Sequence, residues 1–199
     1  MKGEGVQGLP EEPSTEEREP RLLVRVGRLA LRGAREIVST VVPAVIMALL
    51  INVFVVQATS IDGPSMQPNL YRGYRVMTEK ITYHYLHGPE RGDVVVIDMP
   101  GEEIPLIKRV VALPGETVEV RGGHVLIDGR PLDEPWVTHW GGRDYPPLRV
   151  PPLHVFVLGD NRPSSRDSRS FGPVPVDQLV GHSLFIYWPL DQIGTLSAR

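Results

Sequence analysis

Gly63-Pro64-Ser65-Met66-Gln67-Pro68-Asn69-Leu70 divides the chain into two kinds of pattern. Before it runs the longest apolar stretch of the sequence, and after it short strand-like segments follow one another. The octet confines a serine between Gly63, Pro64 and Pro68, a composition that stiffens a turn and displays a side chain. A serine so placed is either an ordinary turn residue or a nucleophile. It becomes the second only if a base lies beside it.

Upstream, residues 37–61 carry no formal charge. A bilayer core of about 30 Å needs roughly 20 such residues in a helix, so the run reads as a transmembrane anchor. Pro43 lies near its start, where a helix tolerates proline best. Arg21, Arg25, Arg28, Arg32 and Arg35 recur at steps of four and three, one stripe of a basic juxtamembrane helix over 21–36. That stripe either lies on anionic lipid or only sets topology. Arginines before the run, against Arg72 and Arg75 soon after it, predict a cytoplasmic N-terminus. The run exceeds the apolar core of a signal peptide and reads as uncleaved, although Val56-Gln57-Ala58 has the small-residue spacing of a cleavage site. Residues 1–20, rich in Gly, Pro and Glu, read as a disordered cytoplasmic tail.

Downstream, residues 62–199 predict a β-rich extracytoplasmic domain. Tyr74–Met77, Val94–Ile97, 105–113, Thr117–Arg121, His124–Ile127, His154–Leu158 and Ser183–Trp188 have strand character. Gly122-Gly123 and Asp128-Gly129 supply hairpin turns. Residues 134–152, rich in Pro, Gly and Trp, form a long excursion of unassigned role. The 20 glycines and 20 prolines agree with many turns and short strands. A net charge of -3 leaves no electrostatic footprint for nucleic acid. The chain has no cysteine, which excludes disulfides, thiolate metal sites and a cysteine nucleophile. His84, His87, His124, His139, His154 and His182 show no ligand spacing, so neither metal nor other cofactor is expected.

The candidate base is Lys108, in Leu106-Ile107-Lys108-Arg109-Val110-Val111. An unpaired ammonium in an apolar strand is costly, and most strand lysines point to solvent. Arg109 follows directly, so in a regular strand one of the two has to face inward. If that one is Lys108, desolvation favours the neutral amine, which can take the proton of Ser65.

Four segments then carry a resemblance. Ser65-Met66-Gln67-Pro68-Asn69-Leu70, Arg91-Gly92-Asp93-Val94-Val95, Lys108-Arg109-Val110-Val111-Ala112-Leu113-Pro114-Gly115-Glu116 and Gly159-Asp160-Asn161-Arg162-Pro163-Ser164-Ser165-Arg166-Asp167-Ser168-Arg169-Ser170-Phe171-Gly172 resemble, in order, the boxes of bacterial type I signal peptidases. The resemblance runs from the anchor to about Pro189. It implies a mostly β peptidase domain, of the kind shared with self-cleaving SOS repressors, behind one transmembrane helix. It also implies a membrane-bound serine endopeptidase that removes signal peptides from exported preproteins, close to the secretion translocon. Ser65 matches the nucleophile and Lys108 the general base. Ser165 matches a hydroxyl that orients the lysine, and Asp167 and Arg169 a supporting ion pair. Met66 and Arg109 match residues that shape the site. Ile61, Leu70 and Ile107 align with apolar residues lining the pockets for small residues at -1 and -3.

Three positions depart from the family pattern. Gly63 stands where a Gram-negative relative has an oxyanion-hole serine, Pro163 where a polar residue is usual, and Asn69 where threonine is usual. The competing readings are an anchored peptide-binding β domain and a self-cleaving protein. A histidine-based relative is opposed by Lys108 itself.

Overall fold

The computed structural model describes residues 15–83 and 87–196. The chain divides into two compact units at Leu49 and Leu50. The first holds most of helix α1, Thr15–Phe54. Within it Leu31–Leu50 is long and apolar enough to cross a membrane. None of that window is buried, and side chains such as Val38, Val45 and Leu49 are exposed, so it is not the core helix of a globular fold.

Both expected ends of the N-terminal segments are corrected. Of the tail 1–20, residues 1–14 lie outside the described residues, while 15–20 belong to α1. The uncharged run 37–61 is not one helix: α1 stops at Phe54 and Val56–Ser60 is strand β1. Five consecutive residues, from Val56 opposite Glu79 to Ser60 opposite Arg75, pair with the next strand. Backbone pairing therefore decides a segment whose composition suited either state.

The second unit is mostly β. Its strands are β1, β2 (Arg75–Glu79), β3 (Val94–Ile97), β4 (Leu106–Ala112), β5 (Thr117–Arg121), β6 (His124–Ile127), β7 (Arg130–Pro131), β8 (Tyr145–Arg149), β9 (His154–Leu158), β10 (Val174–Pro175), β11 (Leu179–Trp188) and β12 (Gly194–Thr195). The larger sheet runs β1-β2-β11-β3-β4-β9-β10, with β12 also on β11, and the smaller runs β7-β6-β5-β8. One short helix, α2 (Ser168–Phe171), is capped by the Asp167 side chain. Strand β8 lies inside the excursion 134–152.

Both faces of the larger sheet are covered where β3 meets β4. All of Val94–Ile97 and all of Ile107–Ala112 are buried. The register pairs Ile107 with Val96 and Arg109 with Val94 on one face, and Lys108 with Val95 on the other. Ile61, Met66, Leu70, Val76, Val94, Val96 and Ile107 form one apolar cluster, which seats the Ser65 turn. Val95, Val110, Val155 and Val157 belong to a cluster on the opposite face.

Candidate active site

The Ser65 turn follows β1 directly and closes on itself. The Gln67 amide donates to the Pro64 carbonyl (3.1 Å) and the Leu70 amide to the Met66 carbonyl (2.9 Å). Met66 and Leu70 are fully buried and anchor the turn, while Ser65 stays half-buried at its crest. A second loop, which leaves β9 as Gly159-Asp160-Asn161, holds the turn from outside. The Asn161 amide donates to the Ser65 carbonyl (2.9 Å) and its Nδ2 to the Pro64 carbonyl (3.2 Å). Gly159 passes so close that a Cβ there would lie 2.5 Å from the Ser65 carbonyl oxygen and 2.3 Å from Ser165 Oγ. Only glycine fits.

Lys108 comes to this turn from β4. Its Nζ lies 2.9 Å from Ser65 Oγ and donates to the Ile107 carbonyl at 2.8 Å. The residue is 3% exposed, and no carboxylate stands within ion-pair distance of it among the described residues. Burial lowers its pKa from 10.5 to about 8, against the opposing pull of the Asp167 and Asp160 carboxylates. An amine so placed has given up half its protons near pH 8. Its lone pair then faces a hydroxyl at hydrogen-bond distance.

Arg109 corrects the reading that one of the two cations faces inward and the other outward. It is buried too, at 2% exposure, because the sheet has no solvent face there. Its Nε and Nη2 donate to Asp160 Oδ1 (2.9 Å) and Oδ2 (2.8 Å), its Nη1 to the Gly92 carbonyl (2.8 Å), and its guanidinium lies over the Trp136 ring. The charge is thus matched on every side.

The other expected residues fall around the same centre. Asp167 and Arg169 form a buried two-pronged pair, Nε to Oδ1 at 2.9 Å and Nη2 to Oδ2 at 2.8 Å. Asp167 Oδ2 also accepts from the Gly159 amide. Ser165 Oγ is buried beside Gly159, but it makes no hydrogen bond among the described residues. The expected bond to Lys108 is absent, because Nζ is turned to Ser65 and to its neighbour's carbonyl. Ile61, Leu70 and Ile107 share one cluster but are buried, at 1%, 0% and 8% exposure. They lie beneath the turn rather than lining an open surface.

Sequence reasoning assigned no part to Asp160, Asn161, Arg162 or Glu134. Arg162 is buried against Glu134 and donates to the carbonyls of Gly123 and Gly159. The excursion now has a place: Glu134 meets Arg162, Trp136 covers Arg109, the His139 carbonyl accepts from the Arg162 amide, and the Gly141 carbonyl from Arg169. The run of polar residues Asp160, Asn161 and Arg162 just after an apolar strand was the available signal. Their partners come from loops distant in sequence.

The chain is similar to known proteins over most of its length. The family model described as signal peptidase, peptidase S26, matches residues 34–188. The probable signal peptidase I-1 of Synechocystis sp. is 39% identical over 172 residues, covering 82% of this chain and 87% of the relative. Signal peptidase I of Leptolyngbya laminosa is 39% identical over 167 residues, 80% of this chain and 82% of the relative. Signal peptidase I S of Bacillus subtilis is 35% identical over 167 residues, 78% and 89%. With its mostly β fold and a family match over most of its length, the chain belongs to the signal peptidases of the peptidase S26 family.

Proposed function

We propose that this serine peptidase hydrolyses signal peptides of preproteins with Ser65 as nucleophile and Lys108 as general base, after small residues at -3 and -1. The observation that carries the reading is the 2.9 Å approach of a buried, carboxylate-free amine to a turn serine. The substrate adds as an extended segment beside Ser65, where main-chain bonds supply affinity and side-chain fit supplies selection. Ile61, Leu70 and Ile107 pack beneath the Ser65 turn and support that subsite from below, and a subsite on so rigid a base selects small residues by excluding large ones.

Lys108 takes the Ser65 proton as Oγ attacks the carbonyl of residue -1. The tetrahedral oxyanion forms beside the Ser65 backbone N–H, which donates to no backbone acceptor among the described residues. Collapse breaks the peptide bond, the protonated Lys108 gives its proton to the departing amine, and an acyl-enzyme remains. Lys108 then deprotonates a water that releases the signal peptide and restores Ser65. Asp167 and Arg169 hold the wall behind Lys108, and Ser165 offers its unengaged hydroxyl to the amine as Nζ shifts away from Ser65. Leu31–Leu50 anchors the chain in the cell membrane, with the N-terminus cytoplasmic and the peptidase unit outside, near the translocon.

The test is purified full-length protein in detergent, with a preprotein carrying Ala at -1 and -3, compared with Ser65→Ala and Lys108→Ala. Both variants are expected to fold and to lose cleavage. Cleavage retained by either one refutes the dyad.

A further inference from the structure

The Asn69 side chain makes two contacts that a threonine in its place could not make together. Nδ2 donates to Asp160 Oδ2 at 2.7 Å and to the Trp136 carbonyl at 2.8 Å. An amide nitrogen carries two hydrogens and both are engaged; a threonine hydroxyl carries one, and an ionised aspartate none. Both partners are acceptors, so the chemistry itself fixes which end of the amide points at them.

These two contacts complete a circuit. Asp160 receives Arg109 through both its oxygens, and Trp136, whose carbonyl Asn69 holds, lays its ring over the same guanidinium at 4.8 Å. Arg109 is the neighbour of Lys108 on β4. The loop that carries Asp160 also carries Asn161, which grips the Ser65 turn at its other end through the Pro64 and Ser65 carbonyls. The turn is therefore held at both ends by Asp160-Asn161, and Asp160 is held to the strand of Lys108.

We propose that Asn69 is a positioning residue: it ties the far end of the Ser65 turn to the Arg109–Asp160 pair and to Trp136, and so sets the reach between Ser65 Oγ and Lys108 Nζ. The role rests on the Ser65–Lys108 reading and acts through those two groups, without touching substrate. It also gives the excursion that contains Trp136 a part in catalysis. A misplacement of about 1 Å at a reacting group can cost on the order of 100-fold in rate.

The experiment uses the full-length protein in detergent and compares kcat and KM for one preprotein across Asn69→Ala, Asn69→Thr and Asn69→Asp, with Ser65→Ala alongside and thermal unfolding of each variant. Expected are a kcat at least about tenfold lower for Asn69→Ala, a smaller loss for Asn69→Thr, and the largest for Asn69→Asp, which sets a second carboxylate against Asp160. KM stays within about twofold, and the unfolding temperature does not track kcat. A kcat within about twofold of the parent in Asn69→Ala overturns the proposal. So does a loss equal in Ala and Thr that follows the unfolding temperature, since that marks a structural part only. Cleavage by Ser65→Ala is a separate result, which removes the dyad whatever the Asn69 series shows.

Discussion

Two cations stand side by side on β4, and the sheet treats them in opposite ways. Arg109 meets a carboxylate through two nitrogens, a carbonyl through the third and an aromatic face above. Lys108, on the other face, meets only a hydroxyl and a carbonyl among the described residues. Both are buried to within a few per cent. The guanidinium cannot be deprotonated in a protein, so it has to be neutralised by a partner. The ammonium can be neutralised by giving up its proton, and burial pushes it toward that form. One face therefore holds a paired charge, and the other favours an amine without its charge.

Removing a partner from the paired face should show the largest effect on stability. Asp160→Ala leaves Arg109 buried and uncompensated, and is expected to cost about 3–5 kcal/mol in denaturant unfolding of the full-length protein. A cost under about 1 kcal/mol would erase the contrast between the two faces.

Lys108→Met tests the bare face in the opposite direction. The lysine titrates at 10.5 unfolded and about 8 folded, so the folded state holds fewer protons between those values and stability rises with pH across that window. Below about pH 8 the full cost of charging a buried amine is present. The Lys108→Met protein should therefore be more stable than the parent at pH 7, by up to about 3 kcal/mol. The gain should shrink above pH 8 and vanish by about 10.5. A destabilised variant at pH 7 would place Lys108 with Arg109 as a structural cation.

The same titration sets a smaller, kinetic expectation. The base acts unprotonated, so kcat/KM should fall about tenfold per pH unit well below 8 and level off above it. A profile flat from pH 6 to 9 would deny Lys108 the role of base. Least of all should depend on the exposed pair Arg166–Glu102: Arg166→Ala is expected to change stability by no more than about 1 kcal/mol. It serves as the surface reference for both buried faces.

Much of this molecule was legible as pattern. The turn glycines and prolines around Ser65, the valine run of β3 and the Gly122-Gly123 and Asp128-Gly129 hairpins appear where local chemistry puts them. The segment 55–61 was not legible, because an uncharged β-branched stretch suits both a helix in lipid and a strand, and only pairing with β2 decides. Lys108 faces inward as expected, but the burial of Arg109 beside it was not legible. Alternation assigns two faces but does not say that both are covered.

By itself the sequence determined an apolar span, a β-rich remainder and the types of residue available for acyl transfer, since these follow from composition, period and side-chain chemistry. Tertiary structure alone decided that the amine at 108 reaches the hydroxyl at 65, that Asp160 belongs to Arg109, and that Trp136 returns to cover it. These contacts join residues tens of positions apart. Distance in space, burial and loss of solvent are properties of the packed chain, and no local pattern encodes them.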